Sequence, residues 1–259
     1  MKALLPALLA VLSSFAPLSA AIVEKPVEYK SGDIVCRGWQ AYDDAVTGKR
    51  PGALVVHGAD GLSGHFKGVA KKLAGLGYNV FVPDLFGKDI IPTSAETGKA
   101  STLFARRALV RTRLNTALEI LGHDERTDVS KIVAVGYGLG GTGAVELARS
   151  GADIKAIVIF HGALDSPTPS DGRNIKAKIL VLLGANDPYI NPAEFAGFVA
   201  ELKTYSVSYK VVKYPGVGHN FTIQEKSDTD KSRPADYNAD ADRRSWLQMK
   251  QFLSQTLGR

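Results

Sequence analysis

The stretch that most constrains this chain is residues 131–143, read Lys-Ile-Val-Ala-Val-Gly-Tyr-Gly-Leu-Gly-Gly-Thr-Gly. Ile132 to Val135 is a short apolar, mostly β-branched run, which predicts a buried strand. A glycine-dense turn follows. From Ala144 the pattern becomes helical, with Val145, Leu147 and Ala148 apolar and Glu146 and Arg149 polar. A strand that passes through a tight glycine turn into a helix belongs to a parallel sheet covered by helices. In such sheets the turn lies at the strand's carboxyl end, where functional groups gather. Gly136 and Gly140 frame the turn, and the residue between them is Gly138. The turn is shaped to present a nucleophile and presents no side chain.

The rest of the chain supports the same architecture. Its 259 residues are 45% hydrophobic and 22% charged, enough apolar material for a sizeable core and without the bias of a disordered chain. A net charge of +6 without a long basic run does not point to nucleic acid. Lys2, the apolar run Ala3–Leu12 and the small residues Ser19, Ala20 and Ala21 predict a secretory signal peptide over residues 1–21. The run is too short for a spanning helix, so the mature chain is expected to begin near Ile22, to be secreted or periplasmic, and to carry no membrane anchor. Cys36 stands alone and can form no internal disulfide; within the alternating segment 33–42 it is expected to be a small buried hydrophobe.

Strands are predicted at Ala53–Val56, Tyr78–Val82, Ala156–Phe160, Ile179–Leu183 and Tyr209–Tyr214. Helices are predicted between them. Phe66, Val69, Ala70 and Leu73 mark the first, which Gly75 and Gly77 end. One long helix is expected over 102–121, with Leu103, Val110, Leu114 and Leu121 inward and Arg106, Arg107, Arg111 and Arg113 on a solvated face. Residues 88–98 read as a Pro/Thr/Gly loop, and later helices are expected at 192–202 and 239–257. Alternation without a repeat or a linker predicts one α/β domain over 22–259, a mostly parallel sheet with helices on both faces.

Three strand-end loops carry reactive residues. Gly138 follows one strand, Asp187 (in Gly-Ala-Asn-Asp-Pro) a later one, and His219 (in Gly-Val-Gly-His-Asn-Phe) the last. Nucleophile position, acid, then histidine is the chain order of α/β-hydrolase triads. The histidine takes a proton from the nucleophile, and the carboxylate fixes the imidazole's tautomer and steadies the imidazolium. Taken singly, a turn aspartate and a surface histidine would be ordinary; their order and placement together predict a dyad. The amide of Leu139 and the loop at Gly58 could supply oxyanion donors.

These motifs resemble the dienelactone hydrolase family, whose elbow reads Gly-Tyr-Cys-x-Gly-Gly. Gly136, Tyr137, Gly140 and Gly141 match it, and Pro83-Asp84 and the helix before the elbow extend the likeness from about Val27 to Leu257. The resemblance implies an ester or lactone hydrolase of the α/β-hydrolase fold, with Asp187 as acid and His219 as histidine. Two positions depart from the family pattern. Its cysteine falls on Gly138, and the glutamate that poises the thiol aligns with Gly58. A covalent cysteine route therefore cannot run from this turn.

Three readings remain. His219 could activate a water in the space of the missing thiol, or the pocket could bind a small ligand without turnover. Gly136-x-Gly138-x-x-Gly141 also reads as a dinucleotide fingerprint, though several strands precede it and no acidic residue follows about twenty positions on. His57, Phe86, Lys88, Tyr137, His161 and Phe221 are candidate pocket residues, while His65 and His123 read as surface loop residues. For His57 and His161 a hydrogen-bonded structural role is the commoner fate. No cluster has metal-ligand spacing, so no metal and no cofactor are expected. The expected partner is a small ester or lactone, with no nucleic acid, and the chain is expected to be a monomer or weak homodimer.

Overall fold

A computed structural model of the chain describes residues 21–88, 90, 97–224 and 237–259. The expected leader, up to Ala20, lies outside the described residues, as does most of the loop expected at 88–98. The strands are β1 (Ile22–Ser31), β2 (Ile34–Asp43), β3 (Arg50–Val56), β4 (Asn79–Val82), β5 (Thr127–Tyr137), β6 (Ala156–Phe160), β7 (Lys178–Gly184) and β8 (Tyr209–Tyr214). They form a sheet in the order β1-β2-β4-β3-β5-β6-β7-β8. β1 and β2 pair antiparallel, and β2 meets β4 antiparallel; from β4 to β8 every pairing is parallel. The helices are α1 (Gly64–Ala74), α2 (Thr97–Ala105), α3 (Arg107–His123), α4 (Leu139–Arg149), α5 (Pro192–Thr204) and α6 (Ala239–Leu257). Among the described residues no helix is long and apolar enough to cross a membrane.

The buried stretches of the central strands, such as Ala53–Val56, Ile132–Val135 and Ala156–Phe160, are apolar because both faces are covered, and their alternation decides which residue goes to which side. Ala53, Val55, Val133, Val135, Val158 and Leu180 join α1 and α6 in one core layer. Leu54, Val56, Ile132, Ala134, Ile157 and Ile179 join α2, α3, α4 and α5 in the other. After β3 the chain turns outward to β4, then crosses back to place β5 on the other side of β3. This reversal opens a crevice at the carboxyl ends of β3 and β5, where open sheets bind ligands. The elbow after β5 and the loop carrying Gly58 after β3 meet there.

Several expectations are corrected. The strand β1 is absent from the sequence reading: Pro26 and its Glu and Lys residues look like loop, but they are what an edge strand carries to discourage further pairing. The long helix at 102–121 is two helices, α2 and α3, broken at Arg106, whose ψ of 68° is not helical. The break lets α2 lean over the strand-end crevice while α3 runs along the sheet. The elbow helix starts at Leu139 rather than at Ala144. The expected arginine face is solvated only at Arg106. Arg107 binds Asp165 at 2.6 Å, Arg111 reaches Glu146 and Asp171 at 2.7 Å each, and Arg113 bonds the carbonyl of Leu85. Glu146 and Arg149 are both buried: Arg149 bonds Glu146 at 2.9 Å and Glu201 at 2.5 Å, tying α4 to α5. Cys36 is fully buried, as expected.

Candidate active site

The elbow's geometry follows from packing around its glycines. Gly138 has φ 54° and ψ −123°, a conformation strained for a residue with a side chain and easy for glycine. Space, however, does not require glycine there. Among the described residues a Cβ at Gly138 would find one neighbour beyond the adjoining chain, the Nδ1 of His161, at 4.0 Å. The framing positions are the reverse. A Cβ on Gly140 would lie 2.1 Å from the carbonyl oxygen of Val56, because the first turn of α4 rests directly on the end of β3. The turn thus keeps its two obligatory glycines and carries a third where a side chain would fit.

The second and third loops converge on this point. Gly184, at the end of β7, passes under residues 217–218 so closely that a Cβ would meet their carbonyl oxygens at 2.4 and 2.3 Å. Bonds from the Asn186 amide to the Val217 carbonyl (2.9 Å) and from the Gly216 amide to the Asn186 side chain (3.1 Å) lock the two loops together. His219 Nδ1 then lies 2.8 Å from Asp187 Oδ2. A carboxylate only accepts, so Nδ1 is the donor, and this fixes the tautomer in which the neutral ring has its lone pair on Nε2. The other Asp187 oxygen accepts from the Tyr189 amide at 2.9 Å, so the carboxylate is held at both ends. The Asp187 side chain is fully buried, while that of His219 stays 14% exposed at the mouth of the cavity.

Gly58, Tyr137, Gly138, Leu139, His161 and His219 line one cavity of about 530 Å³. Four expected pocket residues do not line it. His57 is buried behind the loop: its Nδ1 donates to the Gly58 carbonyl (2.9 Å) and its Nε2 accepts from the Leu85 amide (3.2 Å). Burial lowers its pKa, and the neutral ring pins the Gly58 loop to the end of β4. Phe86 packs against that ring at 5.2 Å rather than on the cavity. Lys88 turns to the sheet edge and pairs with Glu28 at 2.8 Å. Phe221 is fully buried behind His161, ring to ring at 5.5 Å. His65, expected on a surface loop, sits on the first turn of α1 against Tyr137, and burial lowers its pKa to about 4. His123 is exposed at the end of α3.

The sequence reading passed over other lining residues. Asp60 and Tyr189 stand within two residues of Gly58 and Asp187, so loop position alone could have found them. Ser101, on α2, had no local signal, because only the break at Arg106 carries that helix over the crevice.

His161 proves to be the least ordinary residue of the site. It follows β6 with φ 40°, in the left-handed region uncommon for residues other than glycine, and it is fully buried. Its Nε2 pairs with the Thr222 hydroxyl at 3.0 Å, while Nδ1 has no hydrogen-bond partner among the described residues. Burial, then the neighbouring His219 and His65, holds its pKa well below the usual histidine range, so the ring is neutral.

The site can therefore hold a carbonyl against the first amides of α4, and it offers a carboxylate-oriented imidazole beside open space at Gly138. The sequence of the chain matches the Dienelactone hydrolase family over residues 37–257. It is 27% identical over 189 residues to a "Probable 2-oxo-3-(5-oxofuran-2-ylidene)propanoate lactonase" of Bradyrhizobium sp, covering 68% of this chain and 75% of that one. Its structure is similar to that of a dienelactone hydrolase-like promiscuous phosphotriesterase from metagenomic libraries, with 31% identity, a TM-score of 0.86, and coverage of 91% of this chain and 99% of that one. It is also similar to m3DLH, at 29% identity and a TM-score of 0.85 over 92% of this chain and 99% of that one. With the mostly parallel sheet, the elbow after β5 and the family match over most of its length, the chain has the α/β-hydrolase architecture and belongs to the dienelactone hydrolase family.

Proposed function

We propose that the protein hydrolyses small esters or lactones with a water molecule in the role of the family's thiol. The observation that carries this reading is the 2.8 Å bond between Asp187 and His219, kept intact beside the open space at Gly138. His219 Nε2 takes a proton from water, and the water oxygen bonds the carbonyl carbon. The resulting oxyanion is held by the Leu139 amide, at the unpaired start of α4, and by the Gly58 loop. When the tetrahedral intermediate collapses, the carbon–oxygen bond to the leaving group breaks and His219 returns the proton to that oxygen. The cavity volume of about 530 Å³ suits a small ligand. The lactonase relative supports a lactone, and the phosphotriesterase relative makes an activated phosphotriester the second substrate to assay. We propose a periplasmic or extracellular location for this activity, which the apolar run and small residues within 1–21 support.

A second reading, a pocket that binds without turnover, draws on the loss of side chains at both Gly138 and Gly58. Hydrolysis of p-nitrophenyl acetate, an enol-lactone and an activated phosphotriester by the wild type and by His219→Gln separates the two. General-base catalysis is worth roughly 10²–10⁴-fold, and a loss of that order in His219→Gln is expected. Equal rates for the two proteins, or none above buffer, would leave binding as the function.

A further inference from the structure

The cavity contains a second imidazole that the triad logic does not use. The position of His161 is not incidental: its backbone is held at φ 40°, Thr222 fixes one ring nitrogen at 3.0 Å, and the other is buried without a partner among the described residues. A buried ring nitrogen left unsatisfied is costly, so such atoms are normally met by protein or by an ordered water. A Cβ built on Gly138 would lie 4.0 Å from this nitrogen, so the empty side-chain position there adjoins it. The His219 ring stands across from it, edge to face, with centroids 5.3 Å apart. Gly138, His161 and His219 all line the same cavity.

We propose that His161 and His219 together form a seat for one water over Gly138. In this seat the water donates one hydrogen to His219 Nε2 and the other to His161 Nδ1, so that a lone pair of its oxygen faces the cavity. His161 keeps its Nε2–H on the Thr222 hydroxyl and takes no proton; His219 alone accepts the proton when the water attacks. Two features favour water over an anion. The carboxylate of Asp60 shares the cavity wall, and no Lys or Arg is among the described lining residues. His161 then serves as a positioning residue for a non-covalent hydrolysis, and the missing side chain at residue 138 makes room for the nucleophile.

The inference rests on the hydrolytic reading above, and two experiments keep their failures apart. The first reads ring nitrogens by long-range ¹H–¹⁵N correlation NMR in the wild type and in Gly138→Ala, whose methyl group fills the seat without a clash. His161 Nδ1 is expected to resonate as a hydrogen-bonded lone-pair nitrogen in the wild type and to shift in the variant. An unchanged Nδ1 signal, or a protonated Nδ1, overturns the seat whether or not the protein turns over. The second compares kcat and KM for His161→Asn, which keeps an acceptor near Nδ1 and tolerates positive φ, with His161→Leu, which keeps none. The leucine variant is expected to lose about 10²-fold in kcat at unchanged KM, the cost of misplacing a reacting group by about 1 Å, with asparagine recovering part of it. Equal loss in both variants, or none in either, overturns the role in turnover. A wild type without His219-dependent turnover overturns the hydrolytic reading, and the NMR result then decides the seat alone.

Discussion

Two substitutions at the elbow test whether it still has the build of a nucleophile turn, and backbone angles alone rank them the wrong way round. Gly138 has φ 54°, so a side chain there is strained, at about 1–2 kcal/mol for the left-handed region. Gly140 has no positive φ, yet its Cβ would lie 2.1 Å from the Val56 carbonyl oxygen and 2.5 Å from that of His57. An ordinary carbon–oxygen contact is longer by about 1 Å, and both obstructing atoms are backbone at the end of a central strand. The first turn of α4 must therefore move off β3, at about 3 kcal/mol, the upper end of overpacking costs. For a chain of this size each kcal/mol lowers Tm by about 2–4 °C. Gly140→Ala is thus expected to melt about 6–12 °C below the wild type, and Gly138→Cys only about 2–8 °C below. The same displacement shifts the Leu139 amide, and a 1 Å error in positioning costs about 10² in rate. Thermal unfolding by circular dichroism together with ester hydrolysis checks both effects. If Gly138→Cys melts below Gly140→Ala, the reasoning from close approach is wrong.

Two further outcomes follow from buried charge. Arg149→Met leaves Glu201 buried without its cation and Glu146 with Arg111 alone, and is expected to cost about 3–5 kcal/mol by urea denaturation; a loss below about 1 kcal/mol would show that the network contributes little. His65, whose pKa burial lowers to about 4 from an ordinary 6.5, is neutral in the folded protein. The unfolded chain binds the proton first as pH falls, so the stability this group contributes is complete above pH 6.5 and is lost on the way down through pH 4. His57 and His161, lowered for the same reason, act in the same direction. The Tm of the wild type is expected to fall between pH 7 and pH 4, and His65→Gln to flatten that fall; an identical pH profile would refute the assignment.

The sequence by itself determined the alternation of strands and helices, the elbow at residues 136–140, and the order of Gly138, Asp187 and His219. These features are local: an apolar run covered on both faces, a glycine turn and a loop aspartate before proline each act within a few residues. β6 and β8 match their expected bounds for this reason, whereas β1 does not look like a strand because edge position rewards the charges and proline that sequence patterns read as loop. Only the tertiary structure decided which histidine faces the vacancy. His57 and His161 both end strands in the sequence. One is turned back to hold a loop, and the other is aimed at Gly138, because the amide of Leu85 and the hydroxyl of Thr222 arrive from distant parts of the chain. The burial of Arg149 likewise depended on α5 supplying Glu201, a partner 52 residues away. Long-range partners set the protonation and direction of polar groups, and a linear pattern does not contain them.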